Sequence, residues 1–316
     1  MTGVSTVGAD VAGVSGSAPV LSVDLGGTNM RAAVVDAAGR ILTRTVTPTP
    51  RDAPCTEALD RLLASVRDRG GGRGSFSSVV VGVPGRVDYA AGRLDHAPNL
   101  PPSWRDDLTE TNLGRHFDVP VHLANDADLA AVGEAYHGAG SGYTDVVYIT
   151  ISTGIGAGVV LDGRLLRGAR SLVEIGHTIL ALDRVDADEA ATSELLAAGR
   201  ALGRRAAAAD VTERGAHLVD LVRSGDVVAG RVWDATMQAA AATIVNLVHL
   251  FSPDVVVIGG GVGRNGSLVH DPVRAMLDRF GPRGPNASVE LAEARLGDDP
   301  GLIGGAAWAH AVGCTS

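Results

Sequence analysis

Three short glycine-bearing stretches of this sequence suit nucleotide chemistry, the first two also carrying hydroxyl or carboxylate groups. They are Asp24-Leu25-Gly26-Gly27-Thr28, Ser152-Thr153-Gly154-Ile155-Gly156 and Ile258-Gly259-Gly260-Gly261. Adjacent glycines let backbone amides approach a phosphate, and Thr28 offers a hydroxyl where a larger side chain would block entry. Asp24 closes an apolar run and is placed to hold Mg²⁺ through water. Taken alone, Asp-x-Gly-Gly is also ordinary turn chemistry; its recurrence as Thr153, Gly154 and Gly156 favours phosphate binding. Two such turns facing each other can grip a triphosphate, and the run Gly259, Gly260, Gly261 lets a flat adenine or ribose lie on bare backbone. Read from Gly259, the pattern Gly-x-Gly-x-x-Gly fails at Arg264, and that frame is discounted as a dinucleotide fingerprint.

All 27 basic residues are Arg. Without lysine there is no Walker-A lysine, no protein-kinase strand lysine and no Schiff base to pyridoxal phosphate. Phosphate handling then rests on backbone amides, hydroxyls, Arg and metal.

Asn125-Asp126 follows the apolar run Val119–Ala124 and precedes Ala-rich helical sequence. Both side chains are expected at the carboxyl end of a strand, where open α/β sheets bind ligands. A carboxylate that accepts the proton of an attacking hydroxyl is what phosphoryl transfer to an alcohol requires, so Asp126 is a candidate general base. Spacing alone favours the other role open to it, capping the following helix. Glu174 and His177 stand three apart in a short turn, and Asn99 lies in Ala97-Pro98-Asn99-Leu100-Pro101; by residue type alone each is an ordinary surface or turn position.

The elements that must carry these residues repeat. Strands are expected at Val20–Val23, Arg31–Val35 and Arg40–Thr47, joined by the first glycine turn and by Asp36–Gly39. The same meander returns at Val146–Ile151, Ala157–Leu161 and Arg164–Leu166, joined by the second glycine turn and by Asp162-Gly163. Two copies of one meander imply two lobes of related fold. Between and after them, helices are expected at Glu57–Arg69, from about Asp188 to Ala209, around Trp233–Val248 and at Gly266–Arg279, with buried strands at Ser77–Val83 and Asp254–Ile258.

A length of 316 residues suits two lobes with a cleft between them. The formal net charge of −9 argues against a nucleic-acid surface. No stretch approaches the roughly 18–20 apolar residues of a membrane span. Cys55 and Cys314 lack metal-ligand spacing and read as reduced thiols of a cytoplasmic protein. The first 18 residues, rich in Gly, Ser and Ala, read as a flexible leader.

Taken in order, these motifs resemble the ROK family of sugar kinases and sugar-responsive repressors: the three glycine turns, Gly82-Val83-Pro84-Gly85, Ala97-Pro98-Asn99-Leu100, Asn125-Asp126 and Glu174-Ile175-Gly176-His177. The resemblance implies an α/β, actin-like ATPase (duplicated ribonuclease H-like) fold of two lobes with a central cleft. It further implies ATP-dependent phosphorylation of a hexose or amino-hexose, at the 6-hydroxyl, with Asp126 as catalytic base. Gly85, Asn99, Asn125, Glu174 and His177 would serve the sugar; ATP and Mg²⁺ would use the glycine turns and Asp24. Residues 19–124 with 302–316 are expected to form a smaller lobe and 125–301 a larger one.

The departure is that the family's cysteine-rich zinc segment has no counterpart in Thr178–Ser193, which contains no cysteine. Structural zinc is not expected, and His177 must be oriented by other contacts. Glu194 falls where the segment's closing glutamate would stand and is carried over as a sugar contact. A rebuilt loop there bears on which sugar is taken: a glucokinase-like activity, or a kanosamine or N-acylhexosamine kinase. A catalytically silent sugar-binding regulatory module is the alternative of a different class. A repressor is not expected, because only 23 residues precede Asp24 and they lack helical periodicity. Polyphosphate is an alternative donor, against which Gly259–Gly261 favours ATP. A homodimer is the implied assembly.

Overall fold

The computed structural model describes residues 18–68, 76–171, 173–185, 191–211, 215–284 and 287–313. The leader, apart from Ala18, and Cys314 lie outside the described residues. In chain order the elements are β1 (Val20–Leu25), β2 (Asn29–Val35), β3 (Ile41–Pro48), α1 (Cys55–Arg67), β4 (Ser78–Val83), β5 (Arg86–Asp88), β6 (Arg93–His96), α2 (Glu110–Phe117), β7 (Val121–Asn125) and α3 (Asp126–His137). There follow β8 (Val146–Ile151), β9 (Ile155–Leu161), β10 (Arg164–Leu165), α4 (Ser193–Ala197), α5 (Gly199–Ala208), α6 (Gly215–Arg223), α7 (Val227–Phe251), β11 (Val255–Gly259), α8 (Gly260–Gly263), α9 (Ser267–Phe280), β12 (Glu290–Glu293) and α10 (Pro300–Gly313).

The repeated meander produces repeated topology. One sheet runs β3-β2-β1-β4-β7, with β1 antiparallel to β2 and parallel to β4, and β4 parallel to β7. The other contains β9-β8-β11-β12, with β8 antiparallel to β9 and parallel to β11, and β11 parallel to β12. In both, a glycine turn joins the antiparallel pair, and the next strand crosses over to lie beside the first. The crossover strands β4 and β11 are valine-rich runs, buried from Val79 to Val83 and from Val255 to Gly259, as strands covered on both faces must be. On α1, Ala58, Leu59, Leu62, Leu63 and Val66 form the buried stripe expected from their spacing.

The chain divides into two compact units, one from Met1–Thr144, Asp162–Ser171 and Leu296–Ser316, the other from Asp145–Leu161 and Leu172–Arg295. This differs from a division at 124/125, because α3 packs on α10 within the first unit. Glycines make the approach possible: a Cβ on Gly304 would stand 1.8 Å from the Leu129 carbonyl oxygen, and one on Gly133 would stand 2.2 Å from that of Pro300. Nothing in the periodicity of either segment announces that pairing. The single helix expected over Asp188–Ala209 is also replaced. Residues 186–190 lie outside the described residues, and the rest breaks at Ala198 (ψ 167°) into α4 and α5. The break brings the Gly199 N–H onto the Ser152 carbonyl at 2.6 Å, a tertiary bond that helix propensity cannot foresee.

Cys55 is buried at the start of α1, and burial, with Asp107 nearby, pushes its thiol up to about 12, which makes it unreactive. In the first unit His137, whose ring packs on the Asp36–Gly39 turn, and His310 of α10 are both held below the usual imidazole range. Burial is the main cause for each; Asp36 opposes it, and His310 adds to the lowering at His137. A depressed histidine binds fewer protons folded than unfolded, so its share of stability is present above the unfolded value of 6.5 and is lost as pH falls through it. A lower Tm is therefore expected at pH 5.5 than at pH 7.5, and scanning calorimetry of His137→Gln/His310→Gln should show that difference narrowed. An undiminished difference in the double variant would assign the acid sensitivity elsewhere.

Candidate active site

In the first unit, β1 delivers Asp24 to its carboxyl end, opposite Arg31 in the antiparallel register. The Arg31 guanidinium lies 3.7 Å from the carboxylate. Burial nevertheless raises the Asp24 carboxyl above the usual carboxylate range; Arg31 pulls it down, and Asp299 adds to the rise. The turn that follows is held by its carbonyls. The Thr49 hydroxyl donates to Gly26 O at 2.6 Å, the Thr49 N–H to Thr28 O at 2.9 Å, and the Arg51 guanidinium to Gly27 O at 2.7 Å. Arg51 also donates to Asn99 O at 3.3 Å. A Cβ on Gly27 would stand 3.0 Å from that same oxygen, so glycine is what lets the Asn99 turn lie against the first glycine turn. Thr49 and Arg51 were not found from the sequence; a polar residue two turns downstream carries no local signal.

Asn125 and Asp126 occupy the strand-to-helix corner as expected, with their roles divided. Asn125, not Asp126, is the helix cap: its Oδ1 accepts from the N–H of Ala127 at 2.9 Å and of Asp128 at 3.1 Å. Its Nδ2 donates to Gly85 O at 2.8 Å. Both Oδ1 lone pairs are thus engaged, and the amide retains one N–H for a sugar. Gly85 (φ 151°) is required by space, since a Cβ there would meet His96 O at 2.1 Å. Asp126 stands in the first turn of α3, half-buried, accepting from the Ala127 N–H at 2.9 Å. Beneath it the buried Asp128 accepts from the Tyr89 hydroxyl at 2.7 Å, and that hydroxyl in turn accepts from the Asn125 N–H at 3.2 Å. Burial and the Asp128 charge both raise the Tyr89 phenol, which keeps it a donor. Tyr89 is a further member of the site that the sequence did not reveal.

In the second unit Glu174 is the centre of an inverse γ-turn (φ −69°, ψ 55°), closed by the Ile175 N–H on Val173 O at 2.6 Å. Val173 precedes it at φ 61°, a conformation β-branched residues avoid and which tends to persist at functional positions. One turn later His177 places Nε2 4.0 Å from Glu174 Oε2, both side chains exposed. Glu194, from α4, comes to the second glycine turn: its Oε2 accepts from the Ile155 N–H at 3.0 Å. Gly156 belongs to β9, opposite Thr150, and not to the turn where the sequence placed it.

Of the three glycines at the end of β11 and the start of α8, Gly259 and Gly260 are spoken for by packing. A Cβ would meet the Tyr148 hydroxyl at 2.7 Å in one case and Ile151 O at 2.4 Å in the other. Gly261 has open space, and with Ser152, Thr153, Val262 and Asn265 it lines a cavity of about 980 Å³. Arg200, Arg204 and Arg223 also face it, providing cationic groups in a chain without lysine. The volume suits a nucleoside and its phosphates. Among the described residues no group of three or more His, Cys, Asp or Glu stands together as a metal site, and no helix is long and apolar enough to cross a membrane.

The ROK family pattern matches residues 20–312. The chain is 31% identical over 308 residues to a glucokinase of Streptomyces coelicolor, covering 90% of this chain and 96% of the relative. It is 29% identical over 308 residues to an N-acetylmannosamine kinase of Yersinia pseudotuberculosis, covering 92% and 98%. A solved ROK family glucokinase from Streptomyces griseus, in complex with glucose and AMPPNP, superposes with a TM-score of 0.74 at 32% identity, covering 91% of this chain and 98% of that one. The duplicated sheets are therefore those of the actin-like ATPase fold.

Proposed function

The chain belongs to the ROK family, and we propose that within it this protein is a sugar kinase that moves the γ-phosphoryl of ATP onto the 6-hydroxyl of a hexose, glucose first, with Asp126 as base. The observation that carries the assignment of the base is the division of labour at the β7–α3 corner: Asn125 caps the helix, so Asp126 is not needed for that purpose. The carboxylate accepts the hydroxyl proton as the oxygen attacks phosphorus; the sugar-binding groups of the first unit are Asn99 and the remaining Asn125 N–H, and those of the second, taken by themselves, are Glu174, His177 and Glu194. In the second unit ATP is held by the amides of the second glycine turn, with adenine and ribose in the cavity at Gly261; the first unit offers the amides of the first glycine turn to phosphate.

Mg²⁺ fits the donor set. The Asp24 carboxylate beside the first glycine turn, with no group of three or more His, Cys, Asp or Glu together among the described residues, suits an ion that keeps its waters and is carried mainly by phosphates. When bound, it neutralises charge on the transferred phosphoryl group. Ionised Asp24 is disfavoured by its burial, so at neutral pH it lowers stability. Asp24→Asn is accordingly expected to keep or raise the Tm while kcat/KM for Mg·ATP falls about 10- to 100-fold, as for loss of a group that orients metal-bound water. A parallel fall in Tm would show Asp24 to be structural.

The direct test is coupled ADP release from Mg·ATP across glucose, mannose, fructose, glucosamine, kanosamine and N-acetylmannosamine. Turnover with glucose supports the proposal. The N-acylhexosamine reading is favoured by the similarity to an N-acetylmannosamine kinase, and preferential turnover of N-acetylmannosamine would establish it instead. Sugar binding without any turnover would make the protein a silent regulatory module. A homodimer and a cytoplasmic location complete the proposal, the second supported by the unpaired, buried Cys55; sedimentation velocity reads the first.

A further inference from the structure

Glu194 joins two segments that the proposed function uses separately. Its Oε2 receives the Ile155 N–H of the second glycine turn at 3.0 Å, and a Cβ on Gly154 would stand 2.5 Å from that oxygen. Oε1 accepts no hydrogen bond among the described residues. The backbones of α4 and of the start of α5 continue the same tie in both directions. Toward the Glu174–His177 segment, the Ser193 N–H donates to Thr178 O at 2.8 Å, the Thr178 hydroxyl donates to Ile175 O at 2.7 Å, and Gly176 packs so closely that its Cβ would be 3.4 Å from Glu194 Cβ. Toward the phosphate turn, the Gly199 N–H donates to Ser152 O at 2.6 Å and the Arg200 N–H to Thr153 O at 3.4 Å. The short helix itself is anchored on α7 by a buried Ser193–Thr243 hydroxyl pair at 2.7 Å.

We propose that Glu194 is a positioning residue that couples the two substrates: one carboxylate oxygen holds the second phosphate turn through the Ile155 N–H while the other takes a sugar hydroxyl. This inference rests on the proposed sugar site at Glu174–His177 and extends it. A sugar that engages Oε1 fixes the carboxylate, which fixes Ile155 and with it the turn that receives ATP. The coupling is reciprocal by linkage, so nucleotide must tighten sugar by the same factor. Continuity of named contacts within one unit supplies the physical route.

The experiment is calorimetric titration of Mg·AMPPNP with and without saturating glucose. The unaltered protein is expected to bind AMPPNP at least about fivefold more tightly with glucose present. Glu194→Ala leaves the Ile155 N–H without its acceptor, and its sugar-free affinity for AMPPNP should fall roughly fivefold or more, with the glucose effect on AMPPNP reduced to none. Glu194→Gln, whose amide oxygen can still accept from Ile155, should restore sugar-free AMPPNP binding and not glucose binding. Unchanged sugar-free AMPPNP affinity in Glu194→Ala would overturn the tie and leave a sugar contact only. If glucose does not bind the unaltered protein, the sugar reading fails, while the sugar-free comparison still decides whether Glu194 holds the turn. Should the alanine variant not fold, glutamine carries the test: full AMPPNP binding with the glucose enhancement lost supports the proposal, and retention of both overturns it.

Discussion

Asp126→Asn is expected to lower kcat by about 10²- to 10⁴-fold, the range supplied by a positioned general base, with the Kd for sugar changed little and the Tm unchanged. The reasoning is local. Asparagine keeps the size and one acceptor oxygen, so the Ala127 N–H at 2.9 Å keeps its partner, and the helix keeps its cap because Asn125 supplies it. What disappears is the capacity to take a proton. Pre-steady-state mixing would separate the chemical step from product release, and the loss should fall on the chemical step. Full activity would remove Asp126 from the mechanism. A loss of sugar affinity equal to the loss in rate would make it a binding residue instead. Asn125→Ala should behave differently, with a lower Tm as well as lower activity, since a cap and the link to Gly85 go together.

Gly304→Val is expected to destabilise the protein by about 3 kcal/mol or more, at the upper end of overpacking effects because the obstruction is backbone and cannot rotate away. The Tm should fall by roughly 5–10 °C. A Cβ at this position would stand 1.8 Å from Leu129 O and 2.6 Å from Gly133 N, so α10 has to withdraw from α3. Activity should suffer in what remains folded, because α3 carries Asp126 in its first turn and a displacement of about 1 Å can cost 10²-fold in rate. Gly230→Ala is the matched control. It lies in α7 with nothing within 4 Å of the added carbon, and should stabilise by about 0.5–1 kcal/mol through helix propensity alone. Equal melting of the two variants would refute the account of the α3–α10 contact.

Much of this architecture was legible before any coordinates, for identifiable reasons. The two meanders announce themselves because strand, glycine turn and strand are local patterns, and their repetition gives the shared topology of both sheets. Asp24 and Asn125-Asp126 could be placed because an apolar run that stops at a polar residue marks a strand end. The single helix expected over Asp188–Ala209 gives way, among the described residues, to α4 and α5 for the complementary reason. Its alanines favour helix everywhere, while the break at Ala198 is imposed by Ser152, which lies 46 residues earlier in the chain.

The sequence by itself determined the strands, the glycine turns and the types of group available for chemistry, because those depend on neighbours within a few residues. Only the tertiary structure decided which of two adjacent polar residues caps α3, which glycine of three opens onto the cavity, that Arg51 and Thr49 hold the first glycine turn, and that Tyr89 bonds Asp128. It also decided that Glu194 reaches the second glycine turn. Apart from the cap, whose hydrogen bonds are local, each of these depends on residues distant in the chain coming together. Such contacts form only after packing has brought the segments together, and no periodicity records them in advance.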